Sequence, residues 1–236
     1  HEYAIPFSPP YSHEYPRYKV YCSVTDSDTI STGLVTVSIN EAYVCSGNMT
    51  GTWPWGDLDD WEQDAMNADV SDVCSVLGTM RYRNDSAYAV NFYDVEDSLF
   101  PFYNIFYYVG HGSGKPDGDD TNGYFNNYFG DRVSAKRKSH RTPMNHEREY
   151  RLVFINACNS ASWNFKNDFA SDCFVGWIGS VKSAHARAFS YYFWRYLRDG
   201  YSAYGAVVGA NAATIGYRLL GSGIPQCQGN IILKKD

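Results

Sequence analysis

The chain has 236 residues, of which 44% are hydrophobic and 17% aromatic, and its formal net charge is −6. That length and apolar content suffice for one large α/β domain, alone or with an extension. The acidic balance argues against a nucleic-acid-binding surface, and no apolar run reaches the roughly 18 residues that a membrane-spanning helix needs.

Residues 1–18 set Pro6, Pro9, Pro10 and Pro16 among tyrosines, a composition that resists helix and predicts an extended arm. Residues 19–24 and 33–39 alternate as strands and suggest a hairpin across Thr25-Asp26-Ser27-Asp28. The first strand of a main sheet is expected over 40–46, so residues 1–39 are taken as an arm or hairpin and 40–236 as the main domain. After a Gly/Trp/Pro loop, Asp57 or Asp59 can cap a helix that runs to Leu77 and stops at Gly78. Its apolar stripe is Trp61, Ala65, Ala68 or Asp69, Val73 and Leu77. Further strands are expected over 87–93, 103–110, 151–157 and 174–179, with a long polar stretch over 113–150. A helix over 184–198 presents Phe189, Tyr192, Phe193, Tyr196 and Leu197, and Gly200 stops it. Ser202 caps a last helix through residue 213, whose Ala203, Ala206, Gly209 and Ala210 allow close packing. Strands alternating with helices predict a mostly parallel sheet covered on both faces.

Two of these strands end in reactive residues. Residues 103–112 read Tyr-Asn-Ile-Phe-Tyr-Tyr-Val-Gly-His-Gly, and 151–160 read Arg-Leu-Val-Phe-Ile-Asn-Ala-Cys-Asn-Ser. In a parallel sheet the carboxyl ends of the strands form the crevice where chemistry occurs. His111 and Cys158 would share that rim, as nucleophilic acyl transfer needs: a thiol to attack and an imidazole to move the proton. The N–H groups of Gly112 and Cys158 are the natural oxyanion donors. His140 and His146 are weaker candidates, because a polar loop places a side chain less well. Ser113 is not set in a Gly-x-Ser-x-Gly elbow, since residue 111 is His.

These two motifs, in this order and 47 residues apart, resemble the caspase-like (clan CD) cysteine peptidases, a group that includes caspases, legumain, gingipains and clostripain. Phe174-Val175-Gly176-Trp177-Ile178-Gly179-Ser180-Val181 resembles the strand and loop that follow the cysteine in gingipain-like members, and the likeness covers roughly 40–215. The resemblance implies a three-layer α/β/α sandwich, a caspase-like fold. It implies His111 as general acid/base, Cys158 as nucleophile, and Gly112 and Cys158 as oxyanion donors. It also implies a first specificity pocket between the loop after the cysteine and the next strand. The residues there are Asp168, Asp172, Trp177 and Ser180, and an acidic group among them would favour Arg or Lys at P1.

The expected protein is therefore a cysteine endopeptidase acting on protein or peptide substrates. Two sequons, at Asn48 and Asn84, and a start at His1 rather than Met suggest a secreted protein whose leader or propeptide has been removed. None of the six cysteines forms a C-x-x-C pair, so no structural zinc is expected. With Cys158 free, two disulfides and one buried thiol would account for the remaining five; pairing of all six is the alternative. No cofactor is required. The loop with Asp117, Asp119, Asp120 and Asn122 offers oxygen ligands that suit Ca²⁺, against the plainer reading of a solvated acidic turn. The basic run from Arg132 to Arg141 is either a solvated face or a self-processing site. The alternatives to peptidase activity are a catalytically silent relative that binds through the same crevice, and a transpeptidase or isopeptidase using the same pair.

Overall fold

A computed structural model describes residues 17–26, 29–38, 41–47, 60–90, 103–113, 124–126, 132–134, 150–161 and 171–233. The strands β1 (Arg17–Asp26) and β2 (Thr29–Ser38) pair antiparallel as the expected hairpin. The main sheet holds β3 (Glu41–Gly47), β4 (Arg83–Val90), β5 (Ile105–Val109), β9 (Leu152–Asn156), β10 (Cys173–Ile178) and β11 (Ile224–Gly229). The spatial order is β11-β10-β9-β5-β3-β4. All neighbours are parallel except β11, which runs antiparallel to β10 along one edge.

The sequence pattern explains the middle of the sheet. Ile-Phe-Tyr-Tyr-Val in β5 and Leu-Val-Phe-Ile-Asn in β9 are buried at every position. Continuous apolar strands of this kind belong to parallel sheets covered on both faces. Three helices pack on the face formed by Ile105, Tyr107, Leu152, Phe154, Val175 and Trp177. They are α1 (Asp60–Thr79), α2 (Ser183–Arg198) and α3 (Ala203–Ala213); a short α4 (Ile215–Leu219) follows. The opposite face, with Tyr43, Phe106, Tyr108, Val153, Ile155 and Phe174, is buried as well.

Helix α2 buries His185, Ala186, Phe189, Ser190, Phe193, Trp194 and Leu197, a stripe at helical spacing. Its rings interlock with the sheet: Phe154 meets Phe193 at 5.0 Å and Tyr107 at 5.1 Å, and Trp177 meets Phe189 at 4.9 Å, all edge-on. Each such pair contributes about 0.5–1.5 kcal/mol beyond its buried area. Helix α3 is capped as expected, with the Ser202 hydroxyl accepting from the Gly205 N–H at 3.2 Å. Its small residues allow the close approach that the sequence suggested, and Gly209 lies against the Tyr196 ring.

Several elements depart from expectation. Strand β4 starts at Arg83 rather than residue 87, because the polar Arg83–Ser86 stretch can pair at a sheet edge. The polar 113–150 stretch carries a small antiparallel sheet of β6 (Gly112–Ser113), β7 (Tyr124–Asn126) and β8 (Arg132–Ser134). Strand β11 had no apolar alternation to reveal it.

Candidate active site

Strands β5 and β9 pair in register from Ile105↔Leu152 to Val109↔Asn156. His111 and Cys158 each lie two residues beyond that last rung, so the sheet brings them out at the same height on adjacent strands. Both line one small cleft of about 80 Å³, together with Ala65, Met66 and Asp69 of α1 and Ser183, Ala186 and Arg187 of α2.

On the histidine side, the Tyr108 hydroxyl donates to the His111 carbonyl at 3.2 Å, and the Gly110 N–H reaches the Asn156 carbonyl at 3.4 Å. Glycine is required here, since a Cβ on Gly110 would collide with the Tyr108 ring, and one on Gly47 would stand 2.5 Å from its hydroxyl. On the cysteine side, the Cys158 Sγ accepts from the Val181 N–H at 3.3 Å and faces the Val181 carbonyl at 3.6 Å. Asn159 takes a left-handed φ of 57°, which Asn tolerates, and its Oδ1 accepts from the Gly179 N–H at 3.1 Å. Ser160 completes the turn: its hydroxyl donates to the Ile155 carbonyl at 2.7 Å and accepts from the Trp177 N–H at 3.0 Å.

Both groups rest neutral. Burial lowers the His111 pKa, opposed by the Glu62 charge. Burial raises the Cys158 pKa, opposed by hydrogen bonds from the Val181 backbone, the Ser180 side chain and the residue's own N–H. Cys158 carries a free thiol.

Beneath the pair lies a polar network. Tyr107 donates a very short hydrogen bond to Asp69, and its oxygen lies 3.0 Å from both Ser190 Oγ and Asn156 Nδ2. Asn156 also donates to the Ala186 carbonyl at 3.1 Å and accepts from the Trp177 indole N–H at 2.8 Å. Burial is the main cause that raises the Asp69 pKa to about 7, against hydrogen bonds from Tyr107 and Ser190; Asp72 adds to the rise and Arg187 opposes it. A second network sits behind the thiol. The buried His185 ring contacts Ser222 Oγ at 2.8 Å and Thr214 Oγ1 at 3.1 Å, and burial lowers its pKa to about 4. Ser222 in turn accepts from the Lys182 N–H at 3.1 Å.

The structure brings His111, Cys158 and Ser180 together, and Gly112 follows His111 as the first residue of β6. Two sequence assignments are corrected. Asp172 precedes β10, which runs parallel to β9, so it lies at the amino edge of the sheet, across from the cleft, where its N–H bonds the Tyr150 carbonyl at 2.8 Å. Trp177 is fully buried in the core, where its indole N–H bonds Asn156 and its backbone N–H bonds Ser160. Asp168, Asp117, Asp119, Asp120, Asn122, His140 and His146 lie outside the described residues. Among the described residues no cluster of three or more His, Cys, Asp or Glu side chains could hold a metal, and no helix is long and apolar enough to cross a membrane. Asp69 and Asn156 were missed as site residues. Their signal was a polar group in an otherwise apolar stripe or strand.

Among solved structures, the Arg specific cysteine proteinase gingipain R aligns with 83% of this chain and 47% of its own length, at 12% identity and a TM-score of 0.52. Caspase-1 from Spodoptera frugiperda aligns with 84% of this chain and 92% of its own, at 9% identity and a TM-score of 0.50. The fold is caspase-like. Both neighbours are clan CD cysteine peptidases, and the chain spans about half the length of the gingipain R chain it matches. No family model matches the sequence, and no curated protein matches it.

Proposed function

We propose that this chain is a secreted cysteine endopeptidase in which Cys158 is the nucleophile and His111 the general acid/base. One observation carries the reading: the paired register of β5 and β9 sets imidazole and thiol equally far past adjacent strand ends, in one cleft. The chemistry follows from the resting neutral pair. When a peptide carbonyl enters, the Cys158 sulfur attacks it and gives its proton to His111, which delivers that proton to the departing amine. The N–H groups of Gly112 and Cys158 stabilise the oxyanion, at about 3–4 kcal/mol per donor. Water then releases the acyl group from sulfur.

The proposed preference at P1 is for Arg or Lys. The supporting carboxyl is Asp69, which lines the same cleft and is buried with a pKa near 7. A guanidinium or ammonium group entering the cleft would add a further positive charge to the one that Arg187 already brings toward that carboxylate. Secretion is supported by the two sequons alone. Ca²⁺ at the Asp117–Asn122 loop stays a proposal that calorimetry with Ca²⁺ tests; absence of heat removes it.

The test is covalent labelling with a peptidyl acyloxymethyl ketone carrying Arg at P1, read by peptide mapping. Labelling confined to Cys158, and lost in His111→Ala, is expected. No preferential labelling of Cys158 would overturn the reading and favour a catalytically silent binding protein, which the raised thiol pKa also fits.

A further inference from the structure

A second sulfur site lies away from the cleft, on the edge strand. Cys173 and Cys227 are 54 residues apart in sequence, yet their Sγ atoms are 3.6 Å apart. The strand register explains the approach. Cys227 faces Val175, and Cys173 faces Gly229, so the two cysteines are diagonal neighbours on one face of the β10–β11 pair. Gly229, at φ 80°, passes so close to the Asp172 carbonyl that a Cβ there would collide with it, so the two strands approach tightly at this rung. Both sulfurs also approach the Gly229 carbonyl, Cys173 at 3.8 Å and Cys227 at 3.3 Å.

The two thiols differ in access. Cys173 is fully buried, whereas Cys227 is partly exposed. Their ionisation is split the same way. The hydrogen bond from Cys173 lowers the Cys227 pKa, while that bond and burial raise the Cys173 pKa. A partly exposed thiol that is the easier of the two to ionise, beside a buried one, is the arrangement that thiol–disulfide exchange uses, one sulfur to attack and one to resolve.

We propose that Cys173 and Cys227 form a reversible dithiol–disulfide couple that is closed by a small-molecule disulfide such as glutathione disulfide and fastens β11 to β10. The Cys227 thiolate attacks one sulfur of glutathione disulfide and expels one glutathione thiolate, leaving a mixed disulfide. Cys173 then gives up its proton, attacks the Cys227 sulfur and expels the second glutathione. The protein loses two electrons and two protons, and the oxidant becomes two glutathione thiols. Diagonal neighbours on paired strands lie about 7–8 Å apart, so closing the gap from 3.6 Å to the disulfide distance of about 2.05 Å takes a small shift of the edge strand β11 along with side-chain rotation. Cys158 takes no part, because it stands beyond the carboxyl end of β9, whereas Cys173 opens the parallel β10 at its amino end.

The test uses the full chain, reduced and then equilibrated in glutathione redox buffers, with acid quenching, alkylation, intact mass and peptide mapping. The expected oxidised product is lighter by two hydrogens, links the Cys173 and Cys227 peptides, and leaves Cys158 alkylated. Its Tm rises by about 5 °C or more over the reduced form. Cys173→Ser is expected to hold a glutathione adduct on Cys227 instead. A wild-type chain that stops at that adduct, joins Cys227 or Cys173 to another cysteine, or keeps both thiols open to alkylation overturns the proposal. None of these outcomes touches the labelling of Cys158, so the two readings fail separately.

Discussion

The two ends of the β9–β10 pair treat sulfur in opposite ways. At the carboxyl end, Cys158 meets backbone: the Val181 N–H and carbonyl, in a turn pinned by Asn159 and Ser160. At the amino end, Cys173 meets another sulfur across the edge strand. The first environment leaves a thiol open to a cleft that His111 also lines; the second gives a thiol a partner of its own kind. The lesson is that reactivity here is assigned by strand end. Parallel strands send all their carboxyl termini to one rim, where a ligand can enter, and their amino termini to the other, where chain meets chain.

That contrast breaks first if the rim chemistry is removed. Cys158→Ala is expected to lower peptide hydrolysis by about 10⁴-fold or more while leaving the alkylation pattern of Cys173 and Cys227 unchanged. A residual rate near wild type would move the nucleophile elsewhere. His111→Ala should cost about 10²–10⁴-fold in kcat/KM, the usual worth of a positioned acid/base.

The ionisation of the two sulfurs sharpens the comparison. Alkylation of Cys158 by iodoacetamide should keep rising with pH beyond 9, since burial holds that thiol up. Cys227 should react faster near pH 7. A plateau for Cys158 by pH 6 would instead reveal a preformed thiolate–imidazolium pair.

Asp69→Asn tests the cleft itself. Discrimination for Arg over a neutral P1 residue should fall about 10–100-fold, the worth of one charge-assisted hydrogen bond. In the parent chain that discrimination should grow as pH rises through 7, because a cation binds the ionised carboxylate. Stability moves the other way. The folded chain keeps the Asp69 proton between about pH 4 and 7 while the unfolded chain loses it, so this residue's contribution falls as pH rises, by on the order of 4 kcal/mol, and Asp69→Asn should flatten the slope. His185 has the opposite sign. Its pKa is depressed to about 4, so the stability it supports is lost as pH falls from about 6.5 toward 4. Thermal melts of the parent chain and of Asp69→Asn across pH 4–8 separate the two contributions. The smallest expected effect is Gly110→Ala, where crowding of Tyr108 should destabilise by about 1–3 kcal/mol.

Strands β5 and β9 were legible because burial on both faces forces an unbroken apolar run, and His111 and Cys158 are abrupt departures from it. Asp172 was misplaced because nearness in sequence to Cys158 says nothing about which end of the next strand a residue occupies; a parallel crossover carries it to the far rim. Asp69 was hidden because Ala68 could fill the same place in the helix stripe, and only the fold sets the Tyr107 hydroxyl opposite the carboxyl. Strand β11, with Pro225 and two glutamines, pairs along one side only, so it has no need of the alternation that betrays a central strand.

The ring of Tyr108 has a consequence for how this sequence can drift. It lies beneath Gly47 of β3 and beside Gly110, just past β5, with no room for a methyl at either. One phenol thus acts as a spacer gauge for two neighbouring strands, and its hydroxyl fixes the rise of the chain into the histidine. Among descendants of this chain, a larger residue at position 47 or 110 is expected only where position 108 has become thinner, so that three sites evolve as one.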